Sequence, residues 1–352
     1  MSILVDQSTR TIVMGATGSE GRFWTEHMVN LGTHIIAAVT PGKEGEHVGD
    51  IPVYHSVHRA LDARALDTRA IDSRGPVDTR GTASAYAETQ APADAAMLFV
   101  PPHFTKDAVF ECLDAGIKFI VIVADGIPLH DALQIRAASR TEGALVVGGN
   151  TSGIISPGKA MLGMFPYWIE RVYKPGRIGV MTRSGSLTNE VTAMVVRAGF
   201  GVSTLVGVGG DPVPGTRFAE ILARFQEDGE TDAVVMIGEL GGTMEEEAAE
   251  MIASGAFSKP LIAFIGGRHA PKDKRMGHAG AIISGGKGSA LDKMRALEEA
   301  GALTAERASQ VGILLAETLK SRGQAVTSAK SARSPLSADS APGASTRGSR
   351  NE

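Results

Sequence analysis

Thr11-Ile12-Val13-Met14-Gly15-Ala16-Thr17-Gly18-Ser19-Glu20-Gly21 places three apolar residues, Ile12 to Met14 with Thr11 leading, directly before a turn that holds three glycines. A short apolar run with no helical period reads as a strand. Past the turn, Trp24, Met28 and Leu31 recur at i, i+4 and i+7, one face of a helix. Strand, glycine turn and helix in that order open a βαβ unit. The unpaired N–H groups and the positive dipole end of such a helix favour a phosphate.

The alternation continues outward. Strand-like runs follow at 34–39, 95–100, 117–123 and 144–147, with helical segments at 104–115 and 128–141 between them. Strands and helices joined by short glycine loops predict a parallel sheet covered on both faces. A Rossmann-like domain is expected over 1–150, followed by a linker over 151–176. A second set has strands at 178–182, 203–208, 233–237 and 261–265, and helices near 186–198, 216–227, 243–253, 289–300 and 304–320. It predicts a flavodoxin-like, doubly wound domain over 177–321. The fold class is α/β throughout.

Two stretches fit neither core. Residues 60–80 repeat Ala-Leu-Asp-x-Arg with a five-residue period that matches neither helix nor strand, which predicts an inserted surface excursion over about 60–92. Residues 322–352 are rich in Ser, Ala, Gly, Pro and Arg and predict a disordered tail. A net charge of −4 over 352 residues gives no electrostatic reason to expect nucleic acid or an anionic membrane. No apolar run approaches the ~20 residues of a bilayer span, and no signal peptide is read ahead of the first strand. Cys112, the single cysteine, is expected in a helix core; it excludes an intrachain disulfide and fits a reducing, cytoplasmic setting.

Two constellations carry chemistry. The first turn departs from the dinucleotide fingerprint, which wants glycine at its second position and a carboxylate ending the second strand. Thr17 holds the former place here and Thr40-Pro41-Gly42-Lys43 the latter. A lysine in place of a ribose-binding acid argues against NAD and for an additional phosphate, a demand that coenzyme A meets with its 3′-phosphate. A purely structural βα turn is the alternative.

The second constellation centres on Lys274-Arg275-Met276-Gly277-His278-Ala279-Gly280-Ala281-Ile282. A histidine that takes up and surrenders a phosphoryl group needs an exposed ring nitrogen, small neighbours, and dipoles or cations nearby. The loops Arg183-Ser184-Gly185-Ser186, 209–215 and 238–242 follow strands, as the His278 loop does, so all emerge at the carboxyl edge where such sheets bind ligands. Glu239 can orient the imidazole and keep one nitrogen nucleophilic, or else be a solvated strand-end acid. The acidic run 245–247 is expected as a solvated first helical turn. No His, Cys or Asp cluster has metal-ligand spacing. Ser184 lacks the flanks of a hydrolase elbow, and the basic residues at 268–275 lack the aromatics of a nucleic-acid surface.

At these residues the sequence resembles the α subunit of succinyl-CoA synthetase and its relatives, malate–CoA ligase small subunits included, over about 3–59 and 95–320. The matching landmarks are the 15–21 turn, Thr40–Lys43, Arg183–Thr188, Gly209–Pro212, Met236–Gly242 and Lys274–Ile282. The resemblance implies a Rossmann-like CoA-binding domain followed by a flavodoxin-like ligase domain. It implies that Gly15, Thr17, Gly18, Ser19, Glu20, Lys43, Val100, Pro101 and Pro102 contact CoA. His278 becomes the phosphohistidine, Glu239 its orienting partner, and Ser184 and Gly185 its phosphate cradle. An ATP-grasp β subunit supplies ATP or GTP with Mg2+, and a short carboxylic acid is converted through an acyl phosphate to its CoA thioester.

The family's Gly-Pro-Asn-Cys-Pro-Gly is replaced here by Gly148-Gly149-Asn150-Thr151-Ser152-Gly153, and its tyrosine after the Ser-Gly-x-Leu-Thr motif by Asn189. Asn150, Thr151, Ser152 and Asn189 are therefore expected around the acyl pocket, with an acid other than succinate as substrate. The alternatives are another member of the NDP-forming ligase and citrate-cleaving superfamily, or a non-catalytic CoA-binding regulator.

Overall fold

The opening run forms β1 (Thr11–Met14), buried along its whole length, and the helix beyond the turn is α1 (Ser19–Leu31). Gly15 between them sits at φ +78°, and a Cβ there would lie 2.4 Å from the Phe99 carbonyl oxygen. Only glycine accommodates both the left-handed backbone and the close approach of the neighbouring strand end. The computed structural model describes residues 2–63, 93–270, 278, 281 and 288–323. Most of the expected excursion at 60–92, the immediate neighbours of His278 and nearly all of the expected tail lie outside the described residues.

The first sheet adds β2 (Ile35–Val39), β3 (His47–Val48), β4 (Ile51–Tyr54), β5 (Ala95–Leu98), β6 (Phe119–Ile122) and β7 (Leu145–Gly148). Its order is β3-β4-β2-β1-β5-β6-β7, and only β3 runs antiparallel to its neighbour. The parallel strands follow the doubly wound dinucleotide-fold order, with the switch point between β1 and β5. Helices α2 (Thr105–Asp114) and α3 (Leu129–Thr141) lie among these strands in the chain, and Cys112 is fully buried beneath α2.

The second sheet comprises β8 (Gly153–Ser156), β9 (Ala160–Gly163), β10 (Pro175–Thr182), β11 (Val202–Gly207), β12 (Ala233–Glu239), β13 (Leu261–Gly266) and β14 (Leu303–Ala305). Its order is β14-β13-β12-β10-β11-β8-β9. The five parallel strands have the flavodoxin-like order, with the switch point between β10 and β12. The helices are α4 (Gly185–Arg197), α5 (Phe218–Glu227), α6 (Met244–Ala253), α7 (Ala290–Glu299) and α8 (Ala308–Ser321).

Two segments differ from the sequence expectation. The stretch read as a linker holds the antiparallel hairpin β8–β9, which extends the second sheet beyond β11. Ile154, Ile155, Met161 and Leu162 are completely buried, and a hairpin lets this apolar run enter the core with its backbone paired. The helix expected over 304–320 starts later, because Leu303–Ala305 pairs with β13 as the edge strand.

The hairpin joins the two domains. The Thr33 hydroxyl, just past α1, donates to the Met161 carbonyl at 2.9 Å and accepts the Met161 N–H at 3.0 Å. One apolar core runs from Val13 and Met97 of the first sheet through Ile154 and Leu162 to Val180 and Val206 of the second. At the carboxyl edges, Gly210 N–H donates to the Asn150 carbonyl (3.1 Å) and Gly215 N–H to that of Gly148 (2.8 Å). Loops from both sheets are thereby knitted into one rim. Thr33→Val keeps the shape but strands the buried Met161 groups, so it should lower unfolding free energy by about 1–3 kcal/mol, read from chemical denaturation.

Candidate active site

β10 and β12 are neighbours whose following segments diverge, so Arg183 and Glu239 stand on either side of the second sheet's switch point. His278 meets Glu239 there. Its Nδ1 lies 2.9 Å from Glu239 Oε1 and 2.8 Å from Oε2. An ionised carboxylate only accepts, so Nδ1 carries the proton and Nε2 has the nucleophilic lone pair in the neutral ring. Gly210 forms the floor: a Cβ there would fall 2.6 Å from His278 Cγ. The ring lies flat against a backbone that any larger residue would push away. The His278 side chain remains 24% exposed, enough for a reaction partner to reach it.

Behind this pair lies a buried chain of charge. Arg183 Nη2 is 3.3 Å from Glu239 Oε1, while its Nη1 donates to the Gly241 carbonyl at 2.9 Å and lies 3.4 Å from Glu245 Oε1. Lys293, from α7, pairs with Glu245 and donates to the same Gly241 carbonyl at 2.8 Å. The Glu239 N–H donates to Glu245 Oε1 at 3.1 Å. The expectation of a solvated acidic turn at 245–247 is corrected for Glu245, which is wholly buried. The adjacent cations Arg183 and Lys293 make that burial tolerable. Sequence reasoning missed Glu245 and Lys293 as site residues. The only signal was a charged residue recurring on the inward face of an amphipathic helix, and that is invisible until the partner is known.

The Glu239 hydrogen bond holds the His278 pKa above the ordinary imidazole value, opposed by burial; the Arg183 charge also lowers it and the Asp125 carboxylate raises it. Asp211, in the loop after β11, is nearly buried, and burial and the neighbouring Asp125 push its pKa up. Asp125 and Asp211 bring carboxylates from both domains toward the imidazole.

A cavity of about 280 Å³ opens beside this centre, lined by Asp125, Asn150, Thr151, Ser152, Arg183 and Ser184 among others. Gly185, the first residue of α4, also lines it, and a Cβ there would lie 3.3 Å from the Ser152 hydroxyl oxygen. The Ser184 N–H is already bound to Thr182 Oγ1 at 3.0 Å. The Thr151 hydroxyl is likewise spent, donating to the Gly207 carbonyl (2.6 Å) and accepting the Gly153 N–H (3.0 Å). Asn150 adopts a left-handed φ of 54°, which asparagine tolerates. Asn189 is not among the residues lining the cavity; it is exposed on α4, where it accepts a hydrogen bond from the Tyr173 phenol.

The first-domain residues gather at their own switch point. Gly18 caps α1, with Ser19 and Glu20 in its first turn. Thr17 Oγ1 lies 3.2 Å from Thr40 Oγ1, tying the turn to the loop that carries Lys43. Lys43 is half exposed, 2.8 Å from Glu46 Oε1. Val100, Pro101 and Pro102 follow β5, beside Gly15.

With this geometry in view, comparison with known proteins is decisive. A CoA binding domain model matches residues 6–71 and 80–126, and a CoA-ligase model matches 181–303. The chain is 44% identical over 319 residues, 91% of its length and 100% of the relative's, to succinate–CoA ligase [ADP-forming] subunit alpha 2 of Archaeoglobus fulgidus. The chain belongs to the succinate–CoA ligase α-subunit family. Within that family it is 61% identical to the ADP-forming sulfoacetate–CoA ligase subunit SqwL of an Acholeplasma species, covering 90% of this chain and 98% of the relative. It is 59% identical to subunit SauD of the same kind from Bilophila wadsworthia, with the same coverage. Among solved structures, ATP citrate lyase from Methanothrix soehngenii shares the fold, with a TM-score of 0.78 at 22% identity over 95% of this chain. The chain spans about half (53%) of that longer one.

The pKa direction fixes how this α-subunit relative responds to pH. A raised His278 pKa means that the protonated pair with Glu239 stabilises the fold fully below about pH 6, and that this contribution is lost as pH rises through the raised value. The stability difference between the parent and Glu239→Gln should therefore be larger at about pH 5.5 than at about pH 9. Denaturation at the two pH values measures it.

Proposed function

We propose that this chain is the α subunit of an ADP-forming acid–CoA ligase that works through a phosphohistidine at His278 and takes a short sulfonated acid, sulfoacetate, as substrate. The observation that carries the reading is the His278–Glu239 pair at a sheet switch point, with Glu239 buried, the His278 side chain 24% exposed, and a cavity lined from both domains to which the neighbouring Arg183 contributes. The acid's identity is supported by the 61% and 59% identities to sulfoacetate–CoA ligase subunits, against 44% to a succinate–CoA ligase subunit.

The reaction divides into three displacements. His278 Nε2 attacks the γ-phosphorus of a nucleoside triphosphate, and the diphosphate leaves. Throughout, Glu239 accepts the Nδ1 proton's hydrogen bond and offsets the charge that the ring acquires. A carboxylate oxygen of the acid then attacks the phosphorus, freeing the imidazole and forming an acyl phosphate. The CoA thiolate attacks the acyl carbon, and phosphate departs.

An ATP-grasp β subunit holds the nucleotide with Mg2+, which neutralises phosphate charge. The Gly15–Ser19 turn and Lys43 would hold the phosphates of CoA, and Val100–Pro102 would guide its thiol end, which supplies the nucleophile for the last step. Gly185, at the head of α4, directs helix-dipole potential at the phosphoryl group. The cavity suits a small anion, and Ser152 and Asn150 can donate to a sulfonate.

In the complex with its partner subunit, His278→Ala should lose acid-labile, base-stable label from γ-labelled ATP and lower turnover on the order of 10⁴-fold or more. Retained turnover overturns the mechanism. Sulfoacetate should exceed succinate in kcat/KM by at least about tenfold, since the site must hold a tetrahedral sulfonate, one negative charge shared over three oxygens, that succinate lacks. A reversed preference assigns the chain to succinate instead.

A further inference from the structure

Among the described residues, Arg183 has two carboxylates in reach, and its division between them bears on the phosphorylated histidine. A guanidinium and a carboxylate left to themselves favour two parallel hydrogen bonds of about 2.7–2.9 Å. Arg183 and Glu239 show one approach of 3.3 Å, longer than both contacts between Glu239 and His278, at 2.8 and 2.9 Å. Glu239 therefore favours the imidazole over the stronger cation.

The cause lies one layer deeper. Arg183 Nη1 is held by the Gly241 carbonyl and by Glu245. Glu245 is held in turn by Lys293 and by the Glu239 N–H, and both Glu245 and Lys293 have fully buried side chains. Their burial denies water the chance to replace either partner.

We propose that Glu245 and Lys293 are positioning residues for His278: they engage the Arg183 guanidinium so that the Glu239 carboxylate remains on the imidazole. This rests on His278 being the phosphoryl carrier. Neither residue touches the reacting atoms. Glu245 acts twice, by drawing Arg183 away from a two-pronged grip on Glu239 and by anchoring the backbone from which Glu239 projects. Lys293 holds the Glu245 carboxylate in place. The other charged groups near the relay are Asp125 and Asp211, which face His278, and Glu246, 3.4 Å from Lys293. All three are left unchanged in the test.

The test follows the His278 ring by NMR across a pH titration of the full chain, with its signal assigned through His278→Asn. Glu245→Gln combined with Lys293→Met removes both buried charges while keeping their shapes, so no lone charge is left in the core. Arg183 then closes on Glu239, and the His278 midpoint should fall by about one pH unit. Arg183→Met does the reverse: Glu239 belongs to His278 alone, a nearby positive charge is gone, and the midpoint should rise. A purely structural role for Glu245 and Lys293 would leave the His278 midpoint of the double variant where it is in the parent.

An unmoved midpoint in the double variant overturns the proposal, as does a fall in Arg183→Met. If the double variant fails to fold, Glu245→Met combined with Lys293→Met, which fills the same buried space with apolar side chains, takes its place with the same expected fall. In the complex with the partner subunit, the acid limb of phosphohistidine formation should follow the midpoint in the double variant. Absence of phosphohistidine in the parent complex would sink the ligase reading instead, while the NMR titration still reports on the relay.

Discussion

A carboxylate that must orient an imidazole is useful only while no better partner claims it, and a guanidinium beside it is the better partner. Glu239 faces this competition directly, with Arg183 at 3.3 Å and His278 Nδ1 at 2.8 Å. The competition is settled by a second buried pair, Glu245 and Lys293, and by the Gly241 carbonyl, which between them occupy the arginine. Buried ion pairs of this kind add little net stability, because desolvation consumes most of the Coulomb gain. Their effect here is geometric. They fix which atoms of Glu239 face which donor, and hence which nitrogen of His278 is nucleophilic.

That relay can operate only because two sheets present their carboxyl edges to one another. The hairpin β8–β9 follows the last strand of the first sheet and pairs with β11 of the second, so only the short link 149–152 separates the two sheets in the chain. Thr33 and Met161 lock α1 against this hairpin, and Asn150 and Gly210 bond loop to loop. In the proposed reaction, a thiol from the first edge and a phosphoryl group from the second then need to meet in only one cavity. His278 lies flat on Gly210, so the rim that joins the domains is also the floor of the site.

The glycine turn after β1, the alternation of short apolar runs with helical faces, and the single histidine set among small residues were legible in the chain because each is a local signal. Periodicity, turn chemistry and cap residues act over fewer than about ten residues. The Gly15, Gly18, Lys43 and Glu239 placements follow from strand ends and needed no tertiary information. The linker expectation at 151–176 missed the hairpin, because four-residue strands leave no period to read and their pairing partner lies some 50 positions away, as for Ile154 and Val206. Thr151 and Asn189 are both expected at the pocket from the sequence; Thr151 lines the cavity and Asn189 does not. Folding commits the Thr151 hydroxyl to the Gly207 carbonyl and leaves Asn189 exposed with Tyr173.

The sequence by itself determined two doubly wound layers, the strand ends where the candidate site lies, and the imidazole proposed to carry the chemistry. Strand order, burial and the assignment of charges to partners were decided only by the tertiary structure. Glu245 shows why: in the chain it is one of three consecutive acids at a helix start, where the dipole alone accounts for it. Its distinction from Glu246 and Glu247 comes from two cations, 62 residues before and 48 after it, that only the folded sheet brings within reach. Coulomb energy depends on distance in space and on the exclusion of water, and neither quantity is written in the order of residues.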